Sequence, residues 1–268
     1  MRCICRNSGI SLSEGIAMLN LIINADDLGL TPGCSKGIMQ ALTAGIVTDT
    51  TLMVNTDFTE DALAQLKQQG ITRVGLHLNL TMGRPLLAAD QVPSLVDAQG
   101  RFRRRVAEAV PLMNMADAKR ELSAQVDKFL ATGLGLTHLD SHHHAHTYPG
   151  ILEIAIELAQ QLQVPLRQGN DAVRQKITQA GLATTDAIAL NFYEQGTTLD
   201  NLQHIIHSHP TGTLEIMCHP AKPDQLLYEI SSYNHWREQE LTVLTSREIR
   251  AFLTNSGVRL VGFDALQA

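Results

Sequence analysis

The chain has 268 residues, 44% of them hydrophobic, which suits one large α/β domain or two small ones with a sizeable core. Charged residues make up 18% of the chain and the net charge is -6, which argues against nucleic acid or an anionic membrane as the main partner. Only 4% of residues are aromatic, so a short pocket for a small substrate is expected rather than a long groove of stacking platforms.

Cys3, Cys5, Cys34 and Cys218 form no CxxC pair, which disfavours a zinc ribbon or a disulfide scaffold and makes a reducing cytoplasm the default expectation. No apolar run approaches the roughly 18 residues of a membrane span, and residues 1–17 lack the apolar stretch of a signal peptide. Residues 1–17 are expected to be a loosely ordered extension, or to precede a true start at Met18, with a single domain over 18–268.

Leu19 to Asn24 reads as a buried strand emptying into Asp26 and Asp27. Thr31 as N-cap and Pro32 at the first position open a helix towards Ala44 that Gly45 closes. Thr50 to Asn55 is the second strand and Glu60 to Gln69 its helix, stopped by Gly70. In the third strand, Arg73 to Leu80, alternation puts Gly75, His77 and Asn79 on one face and Val74, Leu76, Leu78 and Leu80 on the other.

Thr81 to about Met113 is too long for an ordinary connection and is expected to be a lid or binding loop. Its arginines, Arg101, Arg103, Arg104 and Arg105, read as a solvated face without a catalytic role. Ala116 to Thr132 is an amphipathic helix with Leu122, Val126, Phe129 and Leu130 on its apolar side. A strand ending near Asp140 follows, then a helix over Ile151 to Leu162. Val164 to Arg167 is a short strand, and Ala172 to Gly181 returns across the outside. Ala187 to Leu190 with the helix Leu199 to His207 forms another unit. Gly212 to Cys218 delivers His219 and Pro220 at its end, and Ser246 to Asn255 with Val258 to Val261 closes the chain. About seven such alternations imply parallel strands with helical crossovers. A distorted TIM-like (β/α) barrel is preferred over an open sheet, because so many polar candidates fall at strand C-termini.

The densest of these is the stretch from His138 to His146, which holds five of the eleven histidines in nine residues. Imidazole ligates divalent metals and exchanges protons near neutral pH. A helical cluster would pair His142 with His146, and an extended one would align His142, His144 and His146. The bland alternatives are a solvated histidine run or a metal-storage tract. Asp27, His77 and His142 together offer one carboxylate and two imidazoles, a set that leaves coordination positions open. Asp26 is then free to take a proton from a water polarised by the ion, although an Asp-Asp pair can also be a plain turn or cap. His219 is the best candidate for the acid that protonates a departing amine, and Arg167 could orient Asp26 through a bidentate contact.

The segments Asn24 to Gly29, Gly75 to Thr81, His138 to His146 and Glu215 to Ala221 resemble the YdjC-like carbohydrate deacetylases, whose best-known member deacetylates chitooligosaccharides. The resemblance runs from about Met18 to the C-terminus. It implies a distorted barrel of seven βα units, usually dimeric, that removes acetyl groups from N-acetylated sugars in the cytoplasm. Asp27, His77 and His142 match the metal ligands, Asp26 the base, His219 the acid, and Arg167 a strand-end position beside them. Asp140, His144 and His146 are left to stand behind the ligands or against the sugar. One divalent ion is implied: magnesium by family association, zinc or another transition metal by ligand type. Other carbohydrate deacetylases use a helical His-x-x-x-His pair, which would replace His77 by His146. Leu28 departs from the family, which often has an aromatic residue there, and this bears on pocket shape rather than chemistry. Competing expectations are hydrolysis of another sugar derivative, such as a phosphate ester or a glycosidic bond, and a sugar- or metal-binding protein without turnover.

Overall fold

The computed structural model describes residues 18–267, and the expected extension 1–17 lies outside them. The chain runs β1 (Leu19–Leu28), α1 (Pro32–Ala44), β2 (Asp49–Leu52), α2 (Thr59–Gln68), β3 (Arg73–Leu78), α3 (Val106–Ala109), α4 (Met115–Ala131), β4 (Gly135–Ser141) and α5 (Ile151–Leu162). It continues with α6 (Asp171–Gln179), β5 (Ala187–Ala189), α7 (Leu199–His207), β6 (Gly212–Cys218), α8 (Gln225–Ile230), α9 (His235–Leu244), α10 (Arg247–Ser256) and β7 (Arg259–Leu260). The first helix starts as expected: the Thr31 hydroxyl accepts from Cys34 N–H, with Pro32 in the first turn.

Every strand pairing is parallel, in the order β4-β3-β2-β1-β6-β5, with β7 paired to the lower half of β1. The expected strand over Val164 to Arg167 is reduced to a single parallel bridge between Leu166 and Leu139. That bridge nonetheless continues the wall, since Leu166 N–H donates to Ala183 O and Asp186 N–H to Thr213 O of β6. The sheet therefore curls back on itself as a distorted barrel, thinnest at Leu166.

Alternation decides what each strand face meets. Leu21, Ile23, Ala25, Val74, Leu76, Leu139, Leu214 and Ile216 belong to the main apolar core under the helices. The intervening Asn24, Asp26, His77, His138, Asp140 and Glu215 are also buried, so the barrel interior is a polar column. At its lower mouth Ile22, Val261 and Phe263 form a small apolar plug, and the Phe263 ring stacks on His138 with centroids 3.6 Å apart. His77 thus faces away from the apolar side, as its strand pattern implies.

Three expectations need correction. The second strand ends at Leu52, not Asn55, because the chain turns there: the Thr59 hydroxyl donates to Met53 O and the Asn55 amide to Arg84 O. Leu130 is 48% exposed; α4 instead adds the polar stripe Asp117, Glu121 and Gln125 to its buried face. That stripe fastens the long loop, with Glu121 accepting the N–H groups of Leu86 and Leu87, Asp117 accepting from Ser94, and Gln125 bonding Asn79 at both backbone groups. The loop is consequently ordered and carries the short α3. Lastly, α8 and α9 occupy a stretch to which the hydrophobic pattern assigned no element, and α9 packs against α1. Among the described residues no helix is long and apolar enough to cross a membrane.

Candidate metal centre and active site

The upper, C-terminal end of the barrel opens into a cavity of about 340 Å³ lined by Asp26, Asp27, His77, His142, His143, His144 and His219, together with Tyr193, Tyr233, Arg237 and the exposed Arg104. This is the end at which barrel proteins assemble their sites. β1 delivers both aspartates, and its register slips between Ala25 and Leu28. At this bulge Asp27 takes the left-handed conformation, φ 70, so the two neighbouring carboxylates are aimed differently.

Asp27 Oδ1 is met by His142 Nδ1 at 2.8 Å and by His77 Nε2 at 3.2 Å. Ligand atoms on a tetrahedral ion with bonds near 2.1 Å lie about 3.4 Å from one another, so the three side chains already stand close to a coordination face. Two further observations support the fit. His77 Nδ1 donates to Asp140 Oδ1 at 2.7 Å, which leaves Nε2 as the nitrogen turned to the site. His142 Nε2 is buried without a hydrogen-bond partner. Two imidazoles with one carboxylate suit zinc or another transition ion by donor type.

The histidine cluster is neither helical nor extended. His142 to Thr147 forms a tight 3₁₀-type turn in which His143 and His144 are both left-handed, φ 53 and 51. The break aims His142 at Asp27 and His143 at the Thr81 hydroxyl. His146 lies away from the cavity, with Nδ1 on the Ser141 hydroxyl and Nε2 donating to Arg167 O. Both its nitrogens are occupied, so the His142–His146 pairing does not form and His146 supports the Arg167 backbone. His144 lines the cavity, where burial pushes its pKa down to about 4 and keeps it neutral.

Arg167 sits at the centre of the polar column. Its guanidinium donates to both oxygens of Asp26 at 2.6 and 2.7 Å, to Glu215 Oε1 at 2.6 Å, and lies 2.8 Å from Asp140 Oδ2. Burial alone would raise the Asp26 pKa, but the Arg167 charge outweighs it and keeps the carboxylate ionised. Burial dominates at Glu215, whose pKa rises to about 7 despite Arg167. Asp26, His77 and Asp140 also come together, but Arg167 already supplies the cation between the two carboxylates.

Sequence reasoning missed Arg237 and Glu240 on α9 and Tyr233 just before it. Arg237, buried, donates to Asp27 Oδ2 at 2.7 Å and so leaves Oδ1 to the histidines. Glu240, fully buried, accepts the His219 backbone N–H and the Tyr233 hydroxyl. The only available signal was the HWREQEL pattern of charges in an otherwise unassigned stretch, which reads as a solvated helix. Arg104 is exposed, as expected of a solvated arginine, and it also lines the cavity and donates to Ile230 O, tying the long loop to the end of α8.

A parallel α/β barrel whose strand ends carry carboxylates, imidazoles and a buried arginine around one cavity belongs to the hydrolase-like class of barrel proteins in which an ion can be held at the strand C-termini. Residues 20–255 match the family model described as YdjC-like protein, and the chain belongs to that family. It is 39% identical over 253 residues to a carbohydrate deacetylase of Brevibacillus brevis, covering 92% of this chain and 100% of the relative. It is 40% identical over 243 residues to a carbohydrate deacetylase of Geobacillus stearothermophilus, covering 90% and 96%. A crystal structure from Enterococcus faecalis V583, described as a candidate cellobiose-phosphate cleavage protein, superposes with a TM-score of 0.88 at 30% identity, covering 93% of this chain and 99% of that one.

Proposed function

We propose that this protein is a metal-dependent deacetylase that hydrolyses the N-acetyl amide of a small amino sugar, releasing acetate and the free amine. The observation that carries the reading is the convergence of Asp27, His77 and His142 beside a separately anchored Asp26, with His219 on the same cavity. A divalent ion held by Asp27, His77 and His142 would polarise both the acetyl carbonyl and the attacking water.

The remaining work falls to the chain's own groups. Asp26 accepts the proton of the attacking water, and Arg167 keeps it ionised and fixed in direction by its two parallel hydrogen bonds. Asp140 holds the tautomer of His77. His219 gives a proton to the departing nitrogen, without which an amine anion would have to leave. A cavity of about 340 Å³ supports a mono- or disaccharide as substrate over a polymer. The resemblance suggests chitooligosaccharides or related sugars as substrates, and Arg104 at the rim would tolerate a phosphorylated one. By donor type the ion is zinc or a similar transition metal, and by family association magnesium.

Acetate release from a panel of N-acetylated mono- and disaccharides, with and without chelation, tests this reading. Chelator-sensitive acetate release is expected. Release of phosphate or of cleaved sugar units without acetate would replace the reading with another sugar hydrolase.

A further inference from the structure

His219 poses a problem that the proton-donor role does not solve by itself. Burial pushes its pKa down to about 3, so an isolated ring at this place would hold no spare proton at neutral pH. Its side chain reaches the cavity, but Nδ1 is turned inward, buried and without a hydrogen-bond partner. Behind it lies the Glu240 carboxyl, with Oε1 3.9 Å from Nδ1. Glu240 is held in place from two sides, by the His219 main-chain N–H on Oε2 and by the Tyr233 hydroxyl on Oε1. Tyr233 is itself clamped, its ring stacked on Tyr193 with centroids 3.9 Å apart and edge-on to His219 at 5.5 Å.

We propose that Glu240 is the positioning residue for the proton donor: it anchors the His219 backbone and sets a carboxylate behind Nδ1, while Nε2 faces the substrate. This rests on the reading of His219 as the acid. The buried pair carries one exchangeable proton between them, and burial keeps it on Glu240 at rest, with a pKa raised to about 8. Once the ring and the carboxyl group close the 3.9 Å gap to hydrogen-bond distance, transfer of that proton to Nδ1 leaves Glu240 ionised and His219 doubly protonated. When the amide C–N bond breaks, its electron pair stays on nitrogen and takes the Nε2 proton. His219 is then neutral, with Nδ1–H directed at the Glu240 carboxylate, and solvent returns the lost proton. A fixed carboxylate behind a histidine is the general means of stabilising the imidazolium that forms.

The test uses the metal-loaded protein with two substrates that differ in leaving group. N,N′-diacetylchitobiose needs its amine protonated, whereas the aryl oxide of 4-nitrophenyl acetate leaves without help. Glu240→Gln keeps the shape and removes the transferable proton. It should lower kcat for the amide by about 10- to 100-fold with KM within about twofold, and aryl acetate hydrolysis by less than about threefold. His219→Ala should show the same split. An amide rate within about twofold of the parent in Glu240→Gln, while His219→Ala loses it, would overturn the role of Glu240 alone. Equal loss on both substrates would make Glu240 merely structural. Retained amide activity in His219→Ala would instead remove the acid itself. If Glu240→Gln does not fold, Glu240→Asp withdraws the carboxylate from Nδ1 and should give the same split; its absence there overturns the proposal equally.

Discussion

Arg167 and Asp26, 141 positions apart in sequence, meet through two parallel hydrogen bonds of 2.6 and 2.7 Å inside a fully buried network. The same guanidinium serves Glu215 and Asp140, so a single cation organises three carboxylates. Replacing Arg167 by Met would leave buried carboxylates without a counter-charge. The expected loss is about 3–5 kcal/mol of unfolding free energy, read from urea denaturation, with acetate release abolished. A variant of parental stability would show that the network is not held by this residue.

Asp26→Asn removes the base but leaves Arg167 with Glu215 and Asp140 as partners. The fold should survive, as read by near-ultraviolet circular dichroism, while kcat for acetate release falls by about 10²–10⁴-fold. Full activity in this variant would remove Asp26 from the chemistry.

Much of this site was legible in the sequence because parallel strands end where ligands bind, and Asp26, Asp27, His77, Asp140, His142 and His219 all stand at or near such ends. The bidentate role of Arg167 was legible for the same reason. The left-handed break at His143 and His144 was not, since a run of histidines carries no helix or strand period; it goes with the burial of Ala145 and His146 just after it. Arg237 and Glu240 were hidden because their polar head groups are buried. A charged helix is ordinarily solvated, and nothing in the pattern of α9 distinguishes a charge paired inward from one facing water.

At the opposite end of the barrel, Asp49 accepts from Phe263 N–H and from the Thr137 hydroxyl, yet burial raises its pKa to about 6. A raised carboxyl holds its proton in the folded protein after the unfolded chain has released it. Stability therefore declines as pH rises from about 4 to about 6 and stays lower above that window. Asp49→Asn should remove this decline and gain on the order of 1–3 kcal/mol at pH 8, measured by urea denaturation across pH. An unchanged pH profile would exclude Asp49 as its source.

Gly37 lets α1 approach the loop that carries His219. A Cβ built there would stand 2.3 Å from Ala221 Cα, a backbone atom that cannot swing aside. Gly37→Ala should cost about 1–3 kcal/mol in stability and lower acetate release by displacing His219. Unaltered thermal stability would mean that the helix and loop can separate freely.

The central claim, that Asp27, His77 and His142 hold one ion on which hydrolysis depends, is tested most directly by returning a divalent ion to the chelated protein while acetate release from N,N′-diacetylchitobiose is followed. Activity is expected to be absent after chelation, to rise linearly to one ion per chain and to stay absent in Asp27→Asn. Undiminished activity in the chelated protein, or equal recovery in Asp27→Asn, would contradict the claim.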